Sequence, residues 1–279
     1  MLHCKFVHEP PIAEIPDGLL YIPQDNYYLA NRNAPAAVKY LYADGATSCI
    51  MLILAGEDQQ HNPLAAVSHL SSPHRLLQFF RLAAKHFCGA TAVFAQGANP
   101  PEADGSKNNV STLLRWIQTH LQEPMPRNVP GMGWYLSQAT LSLGAGHPQE
   151  DNRSCAGIDL ATLTVSNQGY LLTETQRDPT GGAQTLFSIF GLSVQPHIPL
   201  HNVTEAFRPD ELKRLAMQAR IDNWTDILDM PEAQALARYS STPECEAPWF
   251  SATLRTSALY VKNYRNYSAR EIRGTREDF

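Results

Sequence analysis

No wholly apolar run in the chain is longer than residues 49–55, far short of the roughly 20 residues that a membrane-spanning helix needs. Positive charge is not in excess: 22 Lys+Arg stand against 27 Asp+Glu, a formal net charge of −5, which leaves no electrostatic footprint for nucleic acid. Cysteine is scarce and odd in number. Cys4, Cys49, Cys88, Cys155 and Cys245 are widely spread with no C-x-x-C among them, so neither a disulfide framework nor a zinc ribbon is suggested. There is no H-E-x-x-H, and His3 and Cys4 lack partners at ligand spacing, so no metal is expected. The dinucleotide fingerprint G-x-G-x-x-G, the Walker A loop and the G-x-S-x-G elbow are all missing, which removes support for phosphate-loop and serine-hydrolase readings. Met1-Leu2-His3-Cys4-Lys5-Phe6 carries neither the basic region nor the apolar core of a signal peptide. The expectation is a reduced, cytoplasmic protein without a membrane or nucleic-acid partner, its oligomeric state open.

What is present is globular: 279 residues, 43% hydrophobic and 18% charged, enough to bury a core. Residues 18–22, 27–29, 38–42, 48–55 and 64–70 read as strands, the last two as a hairpin with a long polar loop. Ser72-Pro73 is a helix start, followed by Leu76, Leu77, Phe80, Ala83, Ala84 and Phe87 at helical spacing, with Gly89 as the stop. A strand over 90–95 precedes a second amphipathic helix marked by Val110, Leu113, Leu114, Ile117 and Leu121. Strands are expected over 134–143, 155–165, 170–174 and 185–192, and helices over 209–219, 231–239 and 248–263. Strands joined as hairpins and mixed with helices predict an α/β (α+β) domain with a mixed sheet flanked by helices, rather than a doubly wound one. The proline-rich stretch 124–133 has strands on both sides, which favours a single domain over 1–264 with a charged tail over 265–279 expected to fray.

The chemistry sits in the hairpin. Side chains alternate along a strand, so Cys49, Met51 and Ile53 share one face, and Ala65, Val67 and His69 share one face of the next. A hairpin closing symmetrically about Gln59 pairs residues whose numbers sum to 118 and sets Cys49 directly opposite His69. A one-residue slip would part them. A thiol beside an imidazole suits nucleophilic attack on a carboxamide, with the imidazole delivering a proton to departing ammonia. Backbone N–H groups of the Gly45-Ala46-Thr47-Ser48 turn are candidate oxyanion donors. The plainer reading makes Cys49 a small buried hydrophobe and His69 a strand-end histidine bound to a carbonyl.

Leu19-Leu20-Tyr21-Ile22-Pro23-Gln24, Ala46-Thr47-Ser48-Cys49, Ser68-His69, Pro248-Trp249-Phe250 and the segment from Arg255 to Lys262 occur in that order. Together, over residues 18–263, they resemble successive signatures of the protein N-terminal asparagine amidohydrolase family. Members deamidate an N-terminal asparagine to aspartate, creating a destabilising terminus for the N-degron pathway. Their core is similar to the chemotaxis-receptor glutamine deamidases and the catalytic domain of cytotoxic necrotizing factors, a mixed β-sandwich flanked by helices. The resemblance implies Cys49 as nucleophile, His69 as general acid/base, no cofactor, and a protein or peptide partner bearing an N-terminal asparagine. Asp44 is then the candidate for the substrate's α-amino group, with Glu57 and Asp58 weaker ones, and Thr47, Ser48 and Ser68 are further substrate-binding candidates. Asp44 as an ordinary turn aspartate, and Thr47 and Ser48 as strand caps, remain open beside these roles. Family members commonly begin Met-Pro and follow the histidine with Cys-Asp; here Leu2 and Leu70-Ser71 stand in those places. The alternatives are a deamidase of internal Gln or Asn side chains, or a catalytically silent binding protein on the same fold.

Overall fold

A run as apolar as residues 49–55 needs cover on both faces, and the architecture supplies it. The structure is a computed structural model that describes residues 2–12, 14–31, 37–121, 134–194 and 199–264. Two mixed sheets lie face to face. The first holds β1 (His3–Lys5), β2 (Leu19–Tyr21), β4 (Tyr40–Ala43), β9 (Ala156–Asp159) and β10 (Thr164–Ser166) in the order β1-β10-β9-β4-β2. The second holds β3 (Asn26–Asn31), β5 (Ile50–Asp58), β6 (Pro63–Leu70), β7 (Phe87–Gly97), β8 (Trp134–Leu143) and β11 (His201–Asn202) in the order β11-β3-β6-β5-β7-β8. The helices are α1 (Pro73–His86), α2 (Asp104–His120), α3 (Glu174–Arg177), α4 (Ala183–Val194), α5 (Pro209–Ile221), α6 (Glu232–Tyr239) and α7 (Phe250–Asn263). The α+β class with mixed sheets and flanking helices is as the sequence predicts.

Alternation along β5 sorts the layers. Ile50, Leu52 and Leu54 pack outward with Leu76, Phe79 and Phe80 of α1 and with Leu113 and Ile117 of α2. Met51 and Ile53 pack inward, with Ala65 and Val67 of β6, against Ile22, Leu41, Ala43, Ile158 and Val165 from the first sheet's side. Cys49 belongs to this inner layer. A third core, including Phe187, Phe190, Leu215, Trp224 and Leu254, joins α4, α5 and α7 into a helical group. No helix among the described residues is long and apolar enough to cross a membrane.

Several boundaries differ from expectation. Residues 185–192, read as a strand, lie in α4; the Asp178 carboxylate takes the Thr185 N–H at 3.0 Å, and Thr180 Oγ1 takes the Gln184 N–H at 2.9 Å, capping a helix start. Residues 170–174 form no strand, because Thr173 and Gln176 make a capping box that begins α3. The expected strand 155–165 is two strands, β9 and β10, joined by a turn in which Asp159 accepts from the Ala161 and Thr162 amides. Helix α1 starts at Pro73 under a Ser72 cap, as read, but ends at His86, so that Gly89 falls in β7. The stretch 124–133 and the tail 265–279 lie outside the described residues.

The hairpin register differs from the expected one by two residues, with Met51 rather than Cys49 opposite His69 and Ile50 opposite Leu70. Asp58 decides this: its carboxylate accepts from the Gln60 and Asn62 amides at 2.8 and 2.9 Å, and its N–H donates to Asn62 O at 2.9 Å. The loop is therefore centred on Gln60. A shift of two leaves facing parity intact, so Cys49 and His69 keep the same side of the sheet.

Candidate active site

Cys49 is the last residue before β5, and His69 is the penultimate residue of β6. The Cys49 backbone is pinned by the Ala98 N–H donating to its carbonyl at 2.7 Å. Gly97 permits that approach: its φ is +125°, and a Cβ there would stand 2.3 Å from the Cys49 carbonyl oxygen. With His69 opposite Met51, Cys49 is its diagonal neighbour, two residues along the chain from Met51. Gln24 links the two. It forms a parallel bridge with His69, and its Oε1 accepts from Cys49 Sγ at 3.5 Å. Helix α4 holds Gln24 from both ends: Gln24 Nε2 donates to Ser188 O at 3.3 Å, and Ser188 Oγ donates to Gln24 O at 2.7 Å.

Both groups are buried, Cys49 at 7% exposure and His69 at 4%. Neither His69 ring nitrogen has a hydrogen-bond partner among the described residues. Burial pushes the imidazole down to about 4. The thiol is pushed well up, first by burial, then by the negative charges of Asp25 and Glu246, against the pull of its own backbone N–H. The resting pair is thus thiol and neutral imidazole. Asp25 is itself buried, 3.3 Å from Arg75 Nε, and accepts from the Ser71 N–H at 3.1 Å and Ser71 Oγ at 2.8 Å. Glu246 reaches in from the segment before α7 and accepts a hydrogen bond from Ser240 Oγ; burial raises its carboxyl.

The depressed imidazole has a consequence for stability. Unfolding frees a histidine that binds a proton below about 6.5, whereas the folded one stays neutral down to about 4. Between those values the unfolded state holds more protons, so stability falls as pH falls. Urea unfolding from pH 7 to 4 is expected to show about 3 kcal/mol more loss for the native chain than for His69→Gln. Parallel curves for the two would refute a buried neutral histidine.

The substrate-binding candidates are dispersed. Asp44 is not a free carboxylate: it forms a buried ion pair with Arg177 Nη1 and accepts from Tyr21 OH at 3.0 Å and Tyr42 OH at 3.4 Å. Thr47 Oγ1 accepts from Thr242 Oγ1 at 2.9 Å, and Ser48 Oγ lies 3.3 Å from Ser241 Oγ. These two hydroxyls tie down the chain leading to Glu246. Ser68 lies on the opposite face from His69 and donates to Asn26 O at 2.7 Å, because neighbouring strand residues alternate sides. Glu57 and Asp58 stand at the far end of the hairpin.

Of two neighbouring cavities, the smaller is lined by His69 but not by Cys49, and the larger by neither. One of about 60 Å³ is lined by His69, Gln24, Pro23, Thr185, Ser188 and Trp249 among others. A larger one, of about 490 Å³, lies beyond a wall made by Asp44, Gly45, Arg177 and Trp249, which line both. Arg177 Cζ sits 3.9 Å from the centre of the Trp249 ring, a close cation–π contact. Gly45, at φ +69°, leaves room for that ring, since a Cβ would come within 2.7 Å of it. Trp249, from the Pro248-Trp249-Phe250 segment, is thus part of the wall. Gln24, Arg177 and Glu246 were not singled out by sequence; Gln24 alone carried a signal, as the end of the segment from Leu19. Among the described residues no group of three or more His, Cys, Asp or Glu side chains is placed to hold a metal ion. In comparisons with known proteins, no family model matches the chain and no curated protein matches it.

Proposed function

We propose that the chain is a cysteine-dependent amidohydrolase that converts an N-terminal asparagine to aspartate and releases ammonia. The observation that carries this reading is the Gln24 carboxamide resting against the Cys49 thiol, beside His69 and at the edge of a small cavity. An amide of the substrate's kind already fits there. When a substrate amide replaces it, His69 takes the thiol proton as Cys49 Sγ attacks the carboxamide carbon, and the C–N bond breaks as His69 returns that proton to the leaving ammonia. Water, deprotonated by His69, then attacks the thioester and frees the carboxylic acid and the thiol. The Cys49 backbone N–H, beside its own sulfur, is the candidate oxyanion donor. This is the chemistry that the resemblance to N-terminal asparagine amidohydrolases implies.

A free α-amino group calls for an acid without a cation of its own. Asp44 is committed to Arg177. Glu246 stands in no ion pair among the described residues and bears on the thiol, so it takes that role in place of Asp44. Because the amide on the sulfur belongs to a glutamine, deamidation of glutamine is the second reading. Peptides beginning with Asn, Gln and acetyl-Asn separate the possibilities through ammonia release and the mass of the product. Free Asn is expected to exceed acetyl-Asn by about a hundredfold or more in kcat/KM, from the loss of a buried charged contact. Equal rates would refute recognition of the terminus, a Gln preference would favour the second reading, and no turnover would refute both.

A further inference from the structure

We propose that the about 490 Å³ cavity behind the Arg177–Trp249 wall seats the second and third residues of a peptide substrate and selects an apolar side chain at the second position. The proposal rests on the reading of Cys49 and His69 as an amidohydrolase pair working on a chain terminus. Size sets the division of labour. The about 60 Å³ beside His69 holds a carboxamide and little else, so the rest of a peptide has to lie elsewhere. The larger space adjoins it across a single wall, and its volume is that of an ordinary small-ligand site.

The wall has an unmet need that a peptide would meet. Arg177 Nε is buried and has no hydrogen-bond partner among the described residues, although Nη1 of the same side chain is paired with Asp44. Buried donors of this kind are almost always satisfied. The carbonyl of the bond between the substrate's first and second residues passes this wall, and it is an acceptor of the right kind. Beyond the wall, Tyr42, Tyr170, Leu172 and Pro248 present apolar surface, with Leu171 exposed at the rim. The charged residues lining the space are Asp44 and Arg177, which neutralise each other. An apolar side chain gains by leaving water here, whereas a charged one gives up its hydration with no counter-ion in return.

The test uses Cys49→Ala, which binds without turning over, titrated with Asn-Leu-Gly-Gly, Asn-Gly-Gly-Gly and Asn-Lys-Gly-Gly amides by calorimetry. The leucine peptide is expected to bind at least about tenfold tighter than the other two. Leu172→Trp in the same background fills the space and is expected to erase that difference. Leu171→Glu, at an exposed position where folding is not at stake, is expected to move the preference toward lysine. Equal affinity for the three peptides, or a preference that neither substitution moves, would overturn the proposal. Ammonia release by the unsubstituted enzyme is followed on the same peptides. Turnover without second-residue preference refutes the cavity assignment alone. Preference in binding without turnover refutes the amidohydrolase reading and leaves the cavity as a peptide site.

Discussion

Cys49→Ala is expected to release no measurable ammonia from an asparagine-initiated peptide, and Cys49→Ser to retain less than about one thousandth of the native kcat/KM, because the nucleophile and its base act as a unit. The serine variant is the sharper of the two. It preserves size but places an alcohol where burial, Asp25 and Glu246 already resist formation of an anion at the sulfur. Those same groups fix the pH behaviour. With a neutral imidazole of pKa about 4, the acid limb of kcat/KM is expected near pH 4 rather than near the ordinary histidine value of about 6.5. Alkylation by iodoacetamide follows the thiolate, so it is expected to be slow at pH 7 and to climb only in the alkaline range. Rapid alkylation at pH 6 would mean a resting thiolate–imidazolium pair and would contradict the environment described for Cys49. Full activity in Cys49→Ala would end the proposed mechanism.

The elements legible in the sequence were those whose local chemistry decides them. Ser72-Pro73 starts α1, and because side chains alternate along β5 and β6, the two-residue difference in register left Cys49 and His69 on a shared face. Helix α4 was misread because Leu186, Phe187 and Phe190 are buried against α5 and α7 with no wide polar face, and a short apolar run has no period to distinguish helix from strand. Its start signals lie in Asp178 and Thr180, upstream of the run. The candidate site divides in the same way. Cys49 and His69 belong to neighbouring strands and could be paired by counting. Gln24 reaches the thiol across 25 positions, and Arg177 reaches Asp44 across 133, joined only once the sheets and helices have packed. No spacing rule brings such residues together, which is why Asp44 read as a candidate for the substrate's amine or a turn aspartate and is instead half of an ion pair.

Arg177→Met is expected to lower stability by about 3–5 kcal/mol, the cost of leaving Asp44 buried without its counter-ion, and to lower Tm by roughly 10 °C. Asp44→Asn is expected to cost a similar amount by stranding Arg177. Asp44→Asn/Arg177→Met removes both charges, and much of the lost stability should return, since a buried pair repays little more than its own desolvation. Stability and function are expected to part at that point. The Arg177 guanidinium stacks on Trp249, and Tyr21 and Tyr42 close on Asp44, so the pair also sets the wall between the two cavities. Asp44→Asn/Arg177→Met regains a neutral interior but not the guanidinium that holds Trp249 in place. Its KM for a peptide substrate is therefore expected to stay raised by about tenfold or more after stability has recovered, the price of one charged hydrogen bond and its orientation. Urea unfolding and steady-state kinetics on the same three variants check both halves. If KM recovers along with stability, the pair is a structural clamp and takes no part in binding substrate.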